Sequence, residues 1–359
     1  MGTDNKTVSK PSETLRGVQL ACLVIYCVIM MVGTVGNGLV IYVTGFRMKR
    51  TVNSVWFLNL ALADFLFTAF LIFSTIALSQ GHRWQFGLLM CKLNTFVSAV
   101  NMFASVFLLM AISLDRCLST CVVVWAQNKR TVCKAQLITV AIWLTAMVCS
   151  TPYATFRKLL EHNNNTYCVY FGDNTQKWIL VTFRFVMAFL IPFLVIMASY
   201  VAIGVRAKRL QSTRKRRSRR IIITVILAFF LCWLPFHVFQ FLELKFYGNR
   251  KLQSIIKTGG PLAVSLAFLN SCLNPILYVF ICDEFQKRLK QSICHVFESA
   301  LAEDHLSFMS SRSLSSKLSR ISRKSDSAVP MERKGKVTSL TFKECRVDAT
   351  DERDTLSTE

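Results

Sequence analysis

Acidic residues are scarce. Asp and Glu number 20 against 43 Lys and Arg in 359 residues, leaving a formal net charge of +23. Charged residues of either sign reach only 18%, below the roughly 25% of an ordinary soluble domain. Histidine is also sparse, at 5 residues, and neither a metal-spaced His/Asp set nor a nucleophile elbow occurs. That argues against a membrane-embedded enzyme. The 13 cysteines are too thinly spread for a secreted disulfide scaffold, and most sit inside apolar runs. No solenoid or propeller repeat is visible. Nor is there an inverted repeat, a ring of pore charges or a pair of broken helices, which argues against a transporter or channel.

What is present is grease: 53% of residues are hydrophobic, and the mean hydropathy is +0.41. A large basic excess normally suggests nucleic acid, but long uncharged apolar stretches do not fit that partner. Apolar spans with basic flanks fit a membrane. A bilayer core of about 30 Å takes roughly 20 apolar residues in helix. Seven stretches qualify, at about 18–45, 53–79, 88–120, 135–156, 177–205, 217–244 and 258–281. The first is too long for a cleaved signal peptide.

Bases in short loops set the expected orientation. Arg47, Lys49 and Arg50 follow span 1, and Lys129, Arg130 and Lys134 separate spans 3 and 4. Nine bases and no acid lie between 206 and 220. All three loops share one side, so an extracellular N-terminus and a cytoplasmic C-terminus are expected. Sequons at Asn5 and Asn164 both fall on the outer side. Cys91 and Cys168 are the clear outer-face cysteines; they are either a disulfide stapling the loop before span 5 over the bundle or two free thiols.

An ionisable residue inside a span is costly unless paired or hydrated, and so marks function. Asp64 lies mid-span 2, Asp115-Arg116 closes span 3, and Arg184 lies in span 5 eight residues before Pro192. His237 in span 6 is a further case, either a pocket residue or a satisfied buried imidazole.

Gly36-Asn37, Leu62-Ala63-Asp64, Asp115-Arg116-Cys117, Trp143, Pro192 with Tyr200, Cys232-Trp233-Leu234-Pro235 and Asn274-Pro275-Ile276-Leu277-Tyr278 fall one motif per span, in order. Together they resemble a rhodopsin-class (class A) G-protein-coupled receptor over about residues 18–297. The resemblance implies an all-α seven-transmembrane bundle that responds to an external ligand and activates a heterotrimeric G protein. It also implies that Asp64, Asn101, Ser105, Asn270, Ser271 and Asn274 form a buried polar cluster able to hold a structural sodium ion; a hydrated network without an ion is the alternative. Asp115 would restrain Arg116 in the inactive state. Pro235 would kink span 6 into a lever with Trp233 as its contact to the ligand floor, and Tyr200 and Tyr278 would restack on activation. Cys117 stands where Tyr is commoner.

Gly45 to Val52, Trp84-Gln85-Phe86-Gly87, Asn101 to Ser105, Val124 to Thr131 and Leu266 to Cys272 resemble the chemoattractant branch: formyl-peptide, chemerin-type and chemoattractant-type prostaglandin D2 receptors. By that resemblance Arg184 faces the pocket and binds a ligand carboxylate, a charge-assisted and often bidentate contact. Ser98, Ala99, Trp233, Phe236 and His237 are the accompanying pocket candidates. Ala99 and Leu180 stand where formyl-peptide receptors carry Asp and Arg, so a typical formyl-methionyl site is not expected. An acidic or C-terminal-carboxylate peptide and a carboxylate lipid mediator both remain open. The branch further implies inhibitory G proteins.

After span 7, bases alternate with Phe285, Leu289 and Ile293, a pattern for a short interfacial helix with Cys294 as a palmitoylation candidate. Beyond it the chain turns polar and loses periodicity. Ser313, Ser315, Ser316, Ser319, Ser322 and Ser325 lie among Arg and Lys, a composition that basophilic kinases favour; the family resemblance implies receptor kinases as partners and arrestin recruitment by the phosphates. The expected organisation is an outer tail 1–17, a bundle 18–282, an amphipathic helix 283–298 and a disordered tail 299–359. The expected protein is a multi-pass plasma-membrane receptor with no catalytic residues and no partnership with nucleic acid. A decoy receptor that internalises ligand without coupling is the alternative.

Overall fold

The computed structural model describes residues 13–209, 215–245 and 250–281, and their side chains outside Trp125, 207–209, 215–227, 250–251 and 276–281. Asn5, Cys294 and the serines from 313 to 325 lie outside the described residues, as do the helix expected at 283–298 and the tail at 299–359. So does the side chain of Tyr278.

Helices run as α1 (Glu13–Tyr42), α2 (Val52–Ser79), α3 (Gly87–Cys121), the short α4 (Val123–Lys129) and α5 (Val132–Thr155). A hairpin of β1 (Arg157–His162) and β2 (Asn165–Tyr170) follows, then α6 (Asn174–Phe185), α7 (Ile191–Arg209), α8 (Lys215–Lys245) and α9 (Arg250–Ile281). A π-helical turn, Val186–Leu190, joins α6 to α7 into one rod. It directly precedes Pro192, whose ring excludes the ordinary bond to the carbonyl four residues back. Among the described residues six helical segments are long and apolar enough to cross a membrane; α8 is the remaining long helix and matches the span expected at 217–244.

Local chemistry sets the helix starts. Thr51 and Ser54 form a reciprocal capping box at α2, Asp173 and Gln176 do the same at α6, and Thr131 caps α5 through the Lys134 N–H. Such caps satisfy N–H groups with no helical partner.

The α3 helix is the axis. Its residues 99–109 are buried without interruption, the mark of a helix enclosed on all sides. Around it the core gathers Trp56, Phe57 and Leu60 from α2, Phe103 and Leu108 from α3, and Phe229 and Trp233 from α8. The outer helices turn large apolar side chains outward: Val24, Val28, Met31 and Val35 on α1, and Leu137, Val140, Leu144 and Val148 on α5. This three-to-four-residue stripe is the face lipid would cover. Close α1–α9 approach depends on Gly36, where a Cβ would lie 3.3 Å from the Pro275 ring.

The hairpin pairs Leu159 with Cys168 and turns through Asn163 and Asn164, both at positive φ (48° and 57°). Asn tolerates that backbone. It leaves the Asn164 sequon exposed at the tip. Cys168 is bonded to Cys91 at the start of α3, with Cα atoms 5.7 Å apart. The Trp84 N–H adds a 2.7 Å bond to the Thr166 carbonyl. Of the two alternatives for these cysteines, the structure has the staple.

Candidate functional site

A cavity of about 650 Å³ lies at the hairpin end of the bundle. Its floor includes Trp233 and Asn101, and its walls carry Ser98, Ala99, Leu180, Arg184 and Phe236. Five expected pocket residues therefore share one chamber. His237 does not line it. The imidazole is 1% exposed and lies among Phe185, Phe189, Trp233 and Phe236, with ring centroids 5.2–6.2 Å away. Neither ring nitrogen has a hydrogen-bond partner among the described residues. The expectation that His237 meets ligand is corrected in this way: it follows Phe236 on the helix, so it points about 100° away from the residue that faces the cavity.

Arg184 is half-buried in the wall. Its Nη2 donates to the Gln240 side chain, while its buried Nε has no partner among the described residues. Its guanidinium sits 5.3 Å from the Tyr153 ring centroid and 5.0 Å from that of Phe236, a stacking that fixes the plane of the fork. A cation so placed keeps donors free for an incoming acceptor.

Sequence reasoning missed further parts of this wall. Arg157, the first residue of β1, and Tyr170, the last of β2, both line the cavity, and the Arg157 Nε and Tyr170 hydroxyl are buried without hydrogen-bond partners among the described residues. Burial lowers the pKa of Arg157 and raises that of Tyr170. Lys177 and Glu243 complete the charged lining. Arg157 and Tyr170 lie in the loop between spans 4 and 5, where hydropathy carries no signal; only the fold of the hairpin brings Arg157 over the chamber.

Below the floor, Asp64 is fully buried. It accepts hydrogen bonds from Asn274 (2.6 Å), Asn101 (2.9 Å) and Ser105 (3.3 Å). Ser271 Oγ donates to the side-chain Oδ1 of Asn101 at 3.4 Å. Five of the six expected cluster residues are thus joined in one network; Asn270 is buried but is not among the hydrogen-bond partners of Asp64. The partners are all neutral. One carboxylate with hydroxyl and amide oxygens is a donor set that fits a small hard cation.

At the opposite end of α3, Arg130 grips Asp115 with Nε–Oδ1 and Nη2–Oδ2 distances of 2.8 Å each. The same Nη2 donates to the Asn53 side chain at 2.7 Å. Asp115 was expected to hold Arg116; instead the loop arginine takes both carboxylate oxygens. A planar fork matches a carboxylate, whereas successive residues of a helix point about 100° apart. Among the described residues no carboxylate lies within ion-pair range of Arg116. Tyr200 lies near Ser113 and within electrostatic reach of Arg116. Pro235 lies inside α8 and Pro275 inside α9, the latter buried next to Gly36. Trp143 donates to Asn59 at 3.1 Å, tying α5 to α2.

Comparisons with known proteins bear on this architecture. Residues 36–278 match the 7 transmembrane receptor (rhodopsin family) model. The chain is 41% identical over 290 residues to a C3a anaphylatoxin chemotactic receptor of Danio rerio, covering 80% of this chain and 79% of that protein. It is 38% identical over 319 residues to chemerin-like receptor 1 of Sus scrofa, covering 83% and 87%. Against prostaglandin D2 receptor 2 of Mus musculus it is 38% identical over 307 residues, covering 82% and 80%. The chain belongs to the rhodopsin family of seven-transmembrane G-protein-coupled receptors, among its chemoattractant-type members, and is a multi-pass membrane receptor, not an enzyme.

Proposed function

We propose that this receptor recognises a carboxylate-bearing chemoattractant, peptide or lipid, at Arg184, and signals mainly through inhibitory heterotrimeric G proteins. The observation that carries the ligand class is the stacked, half-buried Arg184 fork, with a free Nε, facing a cavity that also holds Arg157. Buried donors without partners are costly, and an anion entering from water relieves that cost. The relatives' names point to three different ligands, C3a, chemerin and prostaglandin D2, so they leave peptide and lipid equally open.

The hairpin end faces outside and the α4 end faces the cytosol, as the loop bases favour. Glycans belong at Asn5 and Asn164, palmitate at Cys294, and receptor-kinase phosphates at Ser313, Ser315, Ser316, Ser319, Ser322 and Ser325, where arrestin then binds. Asp64, Asn101, Ser105, Ser271 and Asn274 would hold a sodium ion that favours the resting bundle. Arg116, with Tyr200, Pro235, Pro275 and Tyr278, forms the switch toward the G protein. A screen of carboxylate peptides and carboxylate lipids against wild type and Arg184→Ala tests the pocket, with cAMP suppression as readout. Arg116→Ala separates coupling from decoy behaviour: a signalling receptor loses the response and keeps ligand binding, while a decoy has no response to lose.

A further inference from the structure

The last turns of α3 carry two thiols on one side of the helix. Cys117 and Cys121 are four residues apart, which separates them by about 6 Å along the axis and only about 40° around it. Both are free and half-buried, and Cys121 lies within electrostatic reach of Cys117. Spacing decides what such a pair can hold. Side chains one turn apart have Cβ atoms about 5–6 Å apart, whereas a disulfide needs about 3.5–4.5 Å. Closing a disulfide here means unwinding the end of α3. The helix is instead intact between the two thiols, where the Ser119 and Thr120 hydroxyls donate to the Asp115 and Arg116 carbonyls at 2.7 and 2.8 Å. A bridging metal adds two bonds to sulfur of about 2.3 Å each, enough to span the gap with the helix unchanged. Among the described residues no three His, Cys, Asp or Glu side chains gather to hold a metal, so a four-coordinate zinc centre has too few ligands. Two soft sulfurs suit a cuprous ion, which thiolates select.

We propose that Cys117 and Cys121 form a site for one cuprous ion, held as a bis-thiolate that staples the end of α3. Both thiols lose their protons on binding: Cu⁺ and two S–H groups give an anionic bis-thiolate complex and two protons, with no change of oxidation state. The complex carries one negative charge. Its neighbour in the chain is a cation: Arg116 immediately precedes Cys117 and has no carboxylate within ion-pair range among the described residues, and a nearby cation favours the deprotonated sulfurs. The staple fixes the turn from which Arg116 projects. The site rests on the orientation proposed above, which puts this end of the bundle in the cytosol, where thiols stay reduced. Cys133, the exposed thiol at the start of α5, is outside the pair and serves as its control.

The test uses the full-length receptor, purified in detergent, reduced, loaded anaerobically with Cu⁺ and then dialysed against the cuprous chelator bicinchoninate. Wild type should retain one more copper per chain than Cys117→Ser, Cys121→Ser or the double variant, and these three should match one another. Cys133→Ser should retain as much as wild type. Cys121→Ser with Thr120→Cys keeps the second thiol on the same side of α3 and should restore the copper. Cys121→Ser with Ser119→Cys puts it on the opposite side and should not. Copper should also slow amide hydrogen exchange over residues 117–122 at least fivefold in wild type and not in the double variant. Equal copper in wild type and the double variant overturns the site, as does loss with only one of the single variants or equal retention by the Ser119→Cys pair. Retained copper with unchanged exchange overturns the staple. Orientation does not enter a measurement on purified receptor and is read separately: labelling of Cys133 by an impermeant maleimide on intact cells would overturn the orientation and leave the copper result standing.

Discussion

Asp115 is bound by Arg130, fifteen residues later in the chain, through two parallel 2.8 Å hydrogen bonds, and not by the adjacent Arg116. The loop helix α4 thus reaches into the motif that closes α3. Both side chains are mostly shielded, at 25% and 13% exposure, so the pair is worth more than an open surface bridge. A double-mutant cycle of Arg130→Ala and Asp115→Ala, read as thermal stability in detergent, should give a coupling of about 1–2 kcal/mol. Additive effects would show that the grip contributes nothing.

Signalling should follow the same relationship. With Arg130 replaced by Ala, Asp115 keeps an unpaired carboxylate at the end of α3 beside Arg116, so agonist-driven G-protein activation should fall at unchanged ligand affinity. Adding Asp115→Asn to Arg130→Ala should restore part of the response. A GTPγS assay on matched membranes reads both.

The disulfide between Cys91 and Cys168 closes a loop with a separation of 77 residues. Chain entropy assigns such a closure roughly 4 kcal/mol. Cys91→Ser, Cys168→Ser and the double variant should be destabilised equally, because each single change already breaks the bond. Since Arg157 and Tyr170 of the same hairpin line the cavity, ligand affinity should also fall. A reductant titration on wild type should reproduce the variants.

His237 offers a sharp contrast between packing and ligand contact. Two buried nitrogens without partners among the described residues sit inside an aromatic box, so His237→Phe should raise stability, by about 1 kcal/mol, and leave ligand potency unchanged. A potency loss of tenfold or more with normal surface display would return His237 to the pocket.

Asp64 makes its case through salt. Agonist affinity should fall as NaCl replaces choline chloride at constant ionic strength, and Asp64→Asn should abolish that dependence. Equal sodium sensitivity in both proteins would leave the cluster as a hydrogen-bond network alone.

The sequence was most legible where a membrane leaves few choices. An uncharged helical stretch must be apolar throughout, so spans such as 53–79 and 88–120 fall within a residue of α2 and α3. Asp64 and Arg184 were conspicuous because charge in a span is rare. The hairpin was illegible: six-residue strands with mixed exposure leave no hydropathy signature, and so Arg157 and Tyr170 were missed as cavity residues. Arg130 was read only as a loop base, because a contact fifteen residues along depends on how α4 folds back. His237 stood out as an ionisable residue in a span, a cue that does not say which way the side chain points on the helix.

The most direct measurement is a chemical double cycle on Arg184. The best free-acid ligand and its methyl ester are compared for cAMP suppression on wild type and on Arg184→Ala. The expected result is at least a tenfold loss on esterification in wild type and almost none in the variant, since the same contact is removed twice. An ester penalty of equal size in both receptors would contradict a carboxylate held by Arg184.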